Sequence, residues 1–449
     1  MEMQGIWWIE DELHCNKGKC YFIDGAIYLD IEGDPVNILL QIPYNSCIKF
    51  IYGKLTDGKY CTLFHCTPIS ESIKANGQDT KKIKCEVLIK GGCVDNDQTY
   101  KSSSCRIVYT GLRAWMELKP LGLKRNQDGI FVKYTYPTSN RFFINPVKSH
   151  FDLLYYVKSE FVQGERITLG ITPYIEITPN VPQNIHWYID ICNKLNQFLS
   201  LLIGFDLACS CLAIENKDHR RNTVNNLEYL EIITPNILNF SPSTINGKGP
   251  VFISYKDVLD NLQQLLVAWF NIYSNFESPI ELFYQSIQNN TRTKWTFLNL
   301  IFATEKIYDL IYDSRYIDKK LYTSIYKELK ITIDKIGSEE LKHCLSIKIK
   351  AANKYSLQSK LYTLLNEAKK ILTDHVSDSR KLASNIARMR NSLAHGRIAQ
   401  NDQRKYVDDI DSINMTLKNL IAYNLFKQIG LDDTFLENKF STTYIPPYG

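Results

Sequence analysis

The sequence predicts an α+β protein, with a β-rich domain over residues 1–250 and an all-α helical bundle over residues 251–449. Three observations carry that expectation. The chain has 449 residues, more than one hydrophobic core comfortably serves. Up to about Ile177 its apolar residues come in short β-branched and aromatic runs broken by turn-forming dipeptides. From Tyr255 onward they recur every three or four positions instead, the period of a helix with one buried face.

In chain order, Ala26 to Ile31, Ile48 to Gly53, Ile83 to Ile89 and Phe131 to Tyr134 read as strands. Asp24-Gly25, Glu32-Gly33-Asp34-Pro35, Asp57-Gly58 and Gly91-Gly92 punctuate them. Antiparallel strands of this kind suit a sandwich or a curved sheet. His186 to Ile203 then changes period: Trp187, Ile191, Leu195, Phe198 and Leu202 share a helical face. Leu207 to Ile214 and Leu227 to Ile233 read as a strand pair around the charged Glu215 to Asn222 loop, and Ser241 to Pro250 as a connection. Four helices mark the bundle: one with the apolar stripe Leu259, Leu262, Leu266, Phe270 and Tyr273; a second carrying Trp295, Leu298, Phe302, Glu305 and Tyr308; a third with Leu361, Leu364, Leu365, Ala368 and Leu372; and a last with Val407, Ile410, Ile413, Leu417, Ile421 and Leu425. The tail from Thr442 to Gly449 is expected to be extended.

Composition excludes several classes. The 44% hydrophobic and 22% charged content is that of an ordinary globular chain. No apolar run reaches the ~18 residues of a membrane helix. The strongest, Phe198 to Ile214, is interrupted by Ser200, Asp206 and Ser210 and reads as core. The opening Met1-Glu2-Met3-Gln4 lacks a basic patch followed by an apolar segment, so a cytoplasmic protein with no membrane partner is expected. The twelve cysteines are expected to be reduced and mostly buried. Cys15 with Cys20, Cys61 with Cys66, and Cys209 with Cys211 have no paired C-x2-C spacing, and His14, His65, His150 and His186 show no ligand spacing either. No cofactor and no metal site is expected. The net charge of +5 conceals an asymmetry: between Arg315 and Arg404, lysine and arginine outnumber aspartate and glutamate by 19 to 9. Such a segment suits a polyanionic ligand, although lysine-rich helix surfaces are common without one.

The segment that carries chemistry is Ala387 to Arg397. A helix is expected from about Ser377 to His395, closed by Gly396. Asn391 and His395, four apart, share a face. Arg390 lies about 140° round the helix from His395, within reach of a long side chain, and Arg388 lies beneath it. RNA can be cut when its own 2′-OH attacks the adjacent phosphate, which needs a proton-moving group and a cation for the developing charge. Histidine suits the first task and the forked arginine guanidinium the second. At a helix C-terminus the macrodipole favours protonated histidine, hence an acid role. A surface histidine at a helix end beside a solvated arginine is the plainer reading of the same residues.

Arg390-Asn391-Ser392-Leu393-Ala394-His395, in a basic helical C-terminal region, resembles the R-N-x-x-x-H signature of HEPN ribonucleases. Thr296 to Tyr308 is similar to the opening helix of the ApeA-type HEPN subgroup, with an acidic residue at Glu305. Gly5-Ile6-Trp7-Trp8 and Ile51 to Gly58 resemble the β-rich domain that precedes the nuclease in ApeA proteins. The resemblance implies an antiphage factor acting by abortive infection on host RNA, possessing no cofactor, and answering to a phage-derived trigger. It implies a homodimer or higher oligomer whose two motifs form one cleft for RNA. Arg390 would stabilise the pentacovalent phosphate, His395 would act as acid and base, and Asn391 would support both. Glu305 would orient a basic group from a neighbouring helix, with Arg388 in support.

Two other classes compete. A catalytically inactive HEPN-like module binding nucleic acid or protein would use the same basic surface. A nucleotidyl- or phosphoryl-transfer enzyme is disfavoured, because no G-x4-G-K-[ST] loop or glycine-rich strand-to-helix turn is present.

Overall fold

The computed structural model describes residues 2–23, 25–33, 38–72, 79–118, 121–126, 129–135, 137–162, 166–216, 229–235, 251–288, 294–373, 376–394 and 403–442. The connection expected from Ser241 to Pro250, the tail beyond Thr442, and His395 with Gly396 lie outside them. The chain forms two compact units: Met1–Leu202 with Leu207–Gln263, and Ile203–Asp206 with Gln264–Gly449. The β-rich first part and helical second part follow the predicted α+β order.

The first unit opens with β1 (Glu2–Trp8), β2 (Asn16–Ile23), β3 (Ala26–Gly33), the short α1 (Ile38–Gln41), β4 (Ile48–Leu55), β5 (Tyr60–Ser72) and β6 (Asp79–Cys85). Every pairing is antiparallel, and the order β5-β4-β1-β2-β3-β6 returns to β5. The expected curved sheet thus closes on itself as a six-stranded barrel, which leaves those strands no free edge. Met3, Trp7, Cys20, Leu29, Ile31, Ile51, Leu63 and Ile83 are among the side chains that fill it.

Trp7 sets the packing of that interior. It is fully buried and stands opposite Gly53 in the β1–β4 register. A Cβ on Gly53 would lie 2.4 Å from the Trp7 ring, and one on Gly18 would lie 2.9 Å from it. The indole therefore occupies the space that two side chains on β4 and β2 would take. The Gly5 to Trp8 and Ile51 to Gly58 segments are coupled for this physical reason.

The sheet also continues beyond the barrel. Next come β7 (Val87–Lys90), β8 (Lys101–Ser102), β9 (Cys105–Tyr109), the short α2 (Leu112–Trp115), β10 (Leu121–Asn126), β11 (Gly129–Tyr134), β12 (Asn140–Ile144), β13 (Ser149–Val162), β14 (Arg166–Pro179), β15 (Gln183–Asn184), α3 (Ile185–Ile203), β16 (Cys209–Glu215) and β17 (Tyr229–Ile233). From β5 the order runs β7-β17-β16-β9-β14-β13-β12. The strand pair expected on either side of the 215–222 loop is β16–β17. Cys209 and Cys211 fall on different faces of β16, because a bulge between them shifts the register; Cys209 is buried and Cys211 only partly. Ile185 and Tyr188, rather than Trp187, open the buried stripe of α3, and the Tyr188 hydroxyl donates to the Ser102 carbonyl (2.8 Å). All twelve cysteines are free and seven are buried. Burial pushes the Cys20, Cys61, Cys85 and Cys105 thiols up, so they stay protonated and make poor metal ligands.

The helices that follow are α4 (Tyr255–Val258), α5 (Leu262–Gln288), α6 (Lys294–Ile311), α7 (Lys319–Asp334), α8 (Glu339–Ala351), α9 (Leu357–Ala368), α10 (Ser379–Ala394), α11 (Gln403–Ile429) and α12 (Asp433–Thr442). In the second unit α9 packs against α6, α10 and α11, and α6 against α11; α7 and α8 form a hairpin. The α9 stripe predicted from Leu361 to Leu372 is buried throughout. Of the residues placed on this helix from sequence, Tyr308 is buried, whereas Trp295 is 74% and Phe302 48% exposed; Phe297, Leu300, Ile301, Thr304 and Ile307 complete the inward face of α6. Among the described residues, no helix is long and apolar enough to cross a membrane.

Gly53→Ala should destabilise the first unit by about 1–3 kcal/mol through overpacking against Trp7. Urea unfolding checks this, and Trp7→Leu should recover part of the loss in the double variant, a coupling that independent sites would not show.

Candidate active site

The helix that carries the motif starts at a strong cap. Asp378 Oδ1 accepts from the Lys381 backbone N–H (3.0 Å), and that hydrogen bond holds its carboxyl below the usual carboxylate range. From there Ser379, Ala383 and Ile386 form the buried stripe of α10, with the four-three spacing that a helix turns inward. The next position on that stripe is Arg390, which is half-buried, whereas Arg388 and Asn391 are exposed. The Arg390 guanidinium donates from Nη1 to Asn391 Oδ1 (3.3 Å), and Arg388 donates from Nη2 to Asn385 Oδ1 (2.7 Å). The guanidinium of Arg380 lies 5.5 Å from the Tyr362 ring centroid of α9. His395 lies outside the described residues and follows directly on Ala394, the last residue of α10.

Glu305 meets a basic group that sequence reading did not single out. Lys360 of α9 is buried, and its ammonium reaches Glu305 Oε1 at 3.0 Å and Asp309 Oδ1 at 2.8 Å. Burial alone would lower its pKa, but the hydrogen bonds to Asp309 and Glu305 outweigh that and raise it. The available sequence signal was the pair of carboxylates four apart on α6, which share a face, together with a lysine next to the apolar Leu361 stripe. This ion pair joins α6 to α9, and α9 in turn supports α10.

The charge of the 315–404 segment divides by exposure. Lys360 is held inside, whereas Lys319, Lys320, Lys327 and Lys335 on and just after α7, and Lys348, Lys350 and Lys354 on and just after α8, are exposed. Asn353 closes the base of that hairpin, accepting from the Ile317 N–H (3.0 Å) and donating to the Ile317 carbonyl (2.9 Å). Among the described residues, the one grouping of side chains that could hold a metal ion, His65, Asp97 and His186, belongs to the first unit.

The second unit is thus a helical bundle in which the motif helix α10 and the acidic α6 both pack on α9. A family model described as Apea-like HEPN matches residues 298–435, and one described as ApeA N-terminal domain 1 matches residues 2–269. The second match alone spans more than half of the chain, so the protein belongs to the ApeA-type HEPN family and is an antiphage effector of the HEPN class. No curated protein and no solved structure matches it.

Replacing Lys360 by Met should destabilise the helical unit by about 1–3 kcal/mol, below the usual penalty for breaking a buried pair because Glu305 and Asp309 are each about one-third exposed. The folded pKa of Lys360 is raised, so its contribution is complete at neutral pH and fades only as pH climbs through the lysine range. Denaturant titrations of wild type and variant at neutral and alkaline pH check both statements.

Proposed function

We propose that this protein acts in the bacterial cytoplasm as an abortive-infection endoribonuclease that cuts host RNA when a phage-derived trigger is sensed. The observation that carries the reading is the placement of Arg390 on the packed stripe of α10, tied to Asn391 and five residues before His395 in the chain. A cation held by packing keeps its geometry when a phosphate arrives. The exposed lysines of α7 and α8 supply a sequence-independent attraction for RNA.

The chemistry follows from those groups. The 2′-oxygen attacks the neighbouring phosphorus, the P–O5′ bond breaks, and the products are a 2′,3′-cyclic phosphate and a 5′-hydroxyl. Arg390 stabilises the extra negative charge of the pentacovalent phosphate. His395 moves the proton from the 2′-OH to the leaving 5′-oxygen, and Asn391 orients these two. Arg388 adds positive charge beside them, while Glu305 acts through Lys360 on the packing of α9. Unpaired loops such as those of transfer RNA reach the in-line geometry most easily and are the favoured substrate class. Two copies of α10 facing each other would form the cleft. Trp295 and Phe302, seven apart on one face of α6 and exposed, suit a surface that a second copy covers.

The test compares wild type with Arg390→Ala and His395→Ala in bacteria challenged with phage, with host RNA ends mapped for 2′,3′-cyclic phosphates. Each variant should lose cleavage by about 10²-fold or more and lose protection. Charge reversal at Lys319, Lys320 and Lys327 should weaken RNA binding in a salt-dependent way. Full protection by His395→Ala, with protection abolished by the lysine reversals, would identify a binding module instead. A strict monomer in sedimentation at working concentration would remove the shared cleft.

A further inference from the structure

A second cluster of reactive side chains lies in the first unit. His65 Nε2 and His186 Nε2 each lie 2.8 Å from the same atom, Asp97 Oδ2. All three donor atoms lie within 4.8 Å of one another. Their carriers are separate pieces of the fold: strand β5, the 91–100 loop and the first turn of α3.

Each piece is held by its own bonds. On β5, Cys61 and Leu63 face the barrel core, and strict alternation would send residue 65 inward as well. His65 instead adopts φ +52°, the parity resets, and Cys66 takes the inward place. The imidazole is thereby turned out of the core. In the loop, Asn96 Oδ1 accepts from the Gln98 and Thr99 N–H groups (2.9 and 3.2 Å), and Val94 N–H donates to Thr62 Oγ1 of β5 (3.0 Å). On the helix, Asn184 Oδ1 accepts from Trp187 N–H (2.9 Å), which caps the turn that carries His186. The loop and the helix are joined by the β8–β15 pairing, Lys101 with Asn184 and Ser102 with Gln183.

The electrostatics favour a cation between these groups. Asp97 is only 4% exposed. Among the described residues its carboxylate pairs with the two imidazoles and with no lysine or arginine. Neutral imidazoles give the buried carboxylate hydrogen bonds but no full countercharge. The His65 and His186 side chains remain 33% and 44% exposed, so the cluster opens to solvent on one side.

We infer that His65 Nε2, Asp97 Oδ2 and His186 Nε2 form a site for one divalent transition-metal ion of the zinc class, with a solvent-facing position left for water. Two imidazoles and one carboxylate are borderline ligands suited to such ions. With metal–ligand bonds of ~2.0–2.2 Å, the Asp97–imidazole separations need to open by about half an ångström. Binding requires both Nε2 atoms to offer their lone pairs, so each neutral ring then carries its one proton on Nδ1. The ion then joins β5, the 91–100 loop and α3. Sequence spacing could not show this, since His65 and His186 stand 32 and 89 residues from Asp97.

The test uses the full chain, purified and treated with chelator, then titrated with Co²⁺ and separately with Zn²⁺. One equivalent of Co²⁺ should give visible d–d bands without thiolate charge transfer, and Zn²⁺ should raise the melting temperature. Asp97→Asn and His65→Gly should weaken binding at least about tenfold and abolish the melting shift. Glycine accepts the φ of +52° at residue 65, so that variant removes the imidazole while keeping the backbone. Both variants, metal-free, should melt within a few degrees of metal-free wild type. Absence of d–d bands in wild type, a thiolate charge-transfer spectrum, or an unchanged zinc response in both variants would each overturn the site.

Discussion

The first unit depends on one bend in one strand ladder. β6 and β7 run along the same edge of β5, separated by Glu86 alone, and the pairs Phe64–Val87 and Thr67–Lys84 belong to a single antiparallel hairpin. Their outer edges serve different partners: β6 pairs with β3 and closes the barrel, whereas β7 pairs with β17 and leads into the wider sheet. A straight ladder cannot follow both directions. The bend falls where His65 is left-handed and where Glu86 N–H still reaches the Phe64 carbonyl (3.1 Å). The strain of a positive φ at a non-glycine residue is kept because barrel closure on one side and sheet continuation on the other over-determine it. The same bend expels an imidazole from the core, so topology and the proposed metal site share one cause.

What was legible in the sequence follows from how local each signal is. Strand runs, the α3 helix, the β16–β17 pair and the α9 stripe were readable because their periodicity is set by a few neighbouring residues. Closure of the barrel was not, since it depends on β5 meeting β6 after β3 has met β6, a matter of long-range pairing. The inward face of α6 was not readable for another reason. That helix has large apolar residues on two faces, Trp295 with Phe302 and Phe297 with Leu300 and Ile307, so period alone cannot choose the inner one. Arg390 and Asn391 became candidates through a motif that is local in the chain, and Glu305 through resemblance. Lys360 and the His65, Asp97 and His186 cluster required the fold to bring distant positions together.

The bundle shows why a charge count is a blunt guide. The 19 basic residues between Arg315 and Arg404 look alike in sequence, yet their environments assign them different work. Lys360 is desolvated and tolerable only because two carboxylates four residues apart on α6 meet it. That pairing fixes α6 against α9, and the Arg380–Tyr362 contact connects α9 to α10. The exposed lysines of α7 and α8 have no such duty and remain free to attract a polyanion over a longer range.

The electrostatics of α10 also bear on the proposed dimer. The C-terminal end of a helix presents unpaired carbonyls and the equivalent of about half a negative charge, an environment that repels phosphate. Arg388 and Arg390 must first offset that field before they can hold an RNA backbone. Of the two, Arg388 is exposed and screened by solvent, while half-buried Arg390 shares its guanidinium with Asn391. One helix end therefore carries only a modest surplus of positive potential. Two ends brought together, each with its arginines turned to the same phosphate, double the cationic groups in a space from which water is partly excluded, where each acts more strongly. In the proposed dimer the shared cleft would thus convert a weakly attractive helix end into a site able to stabilise a pentacovalent phosphate.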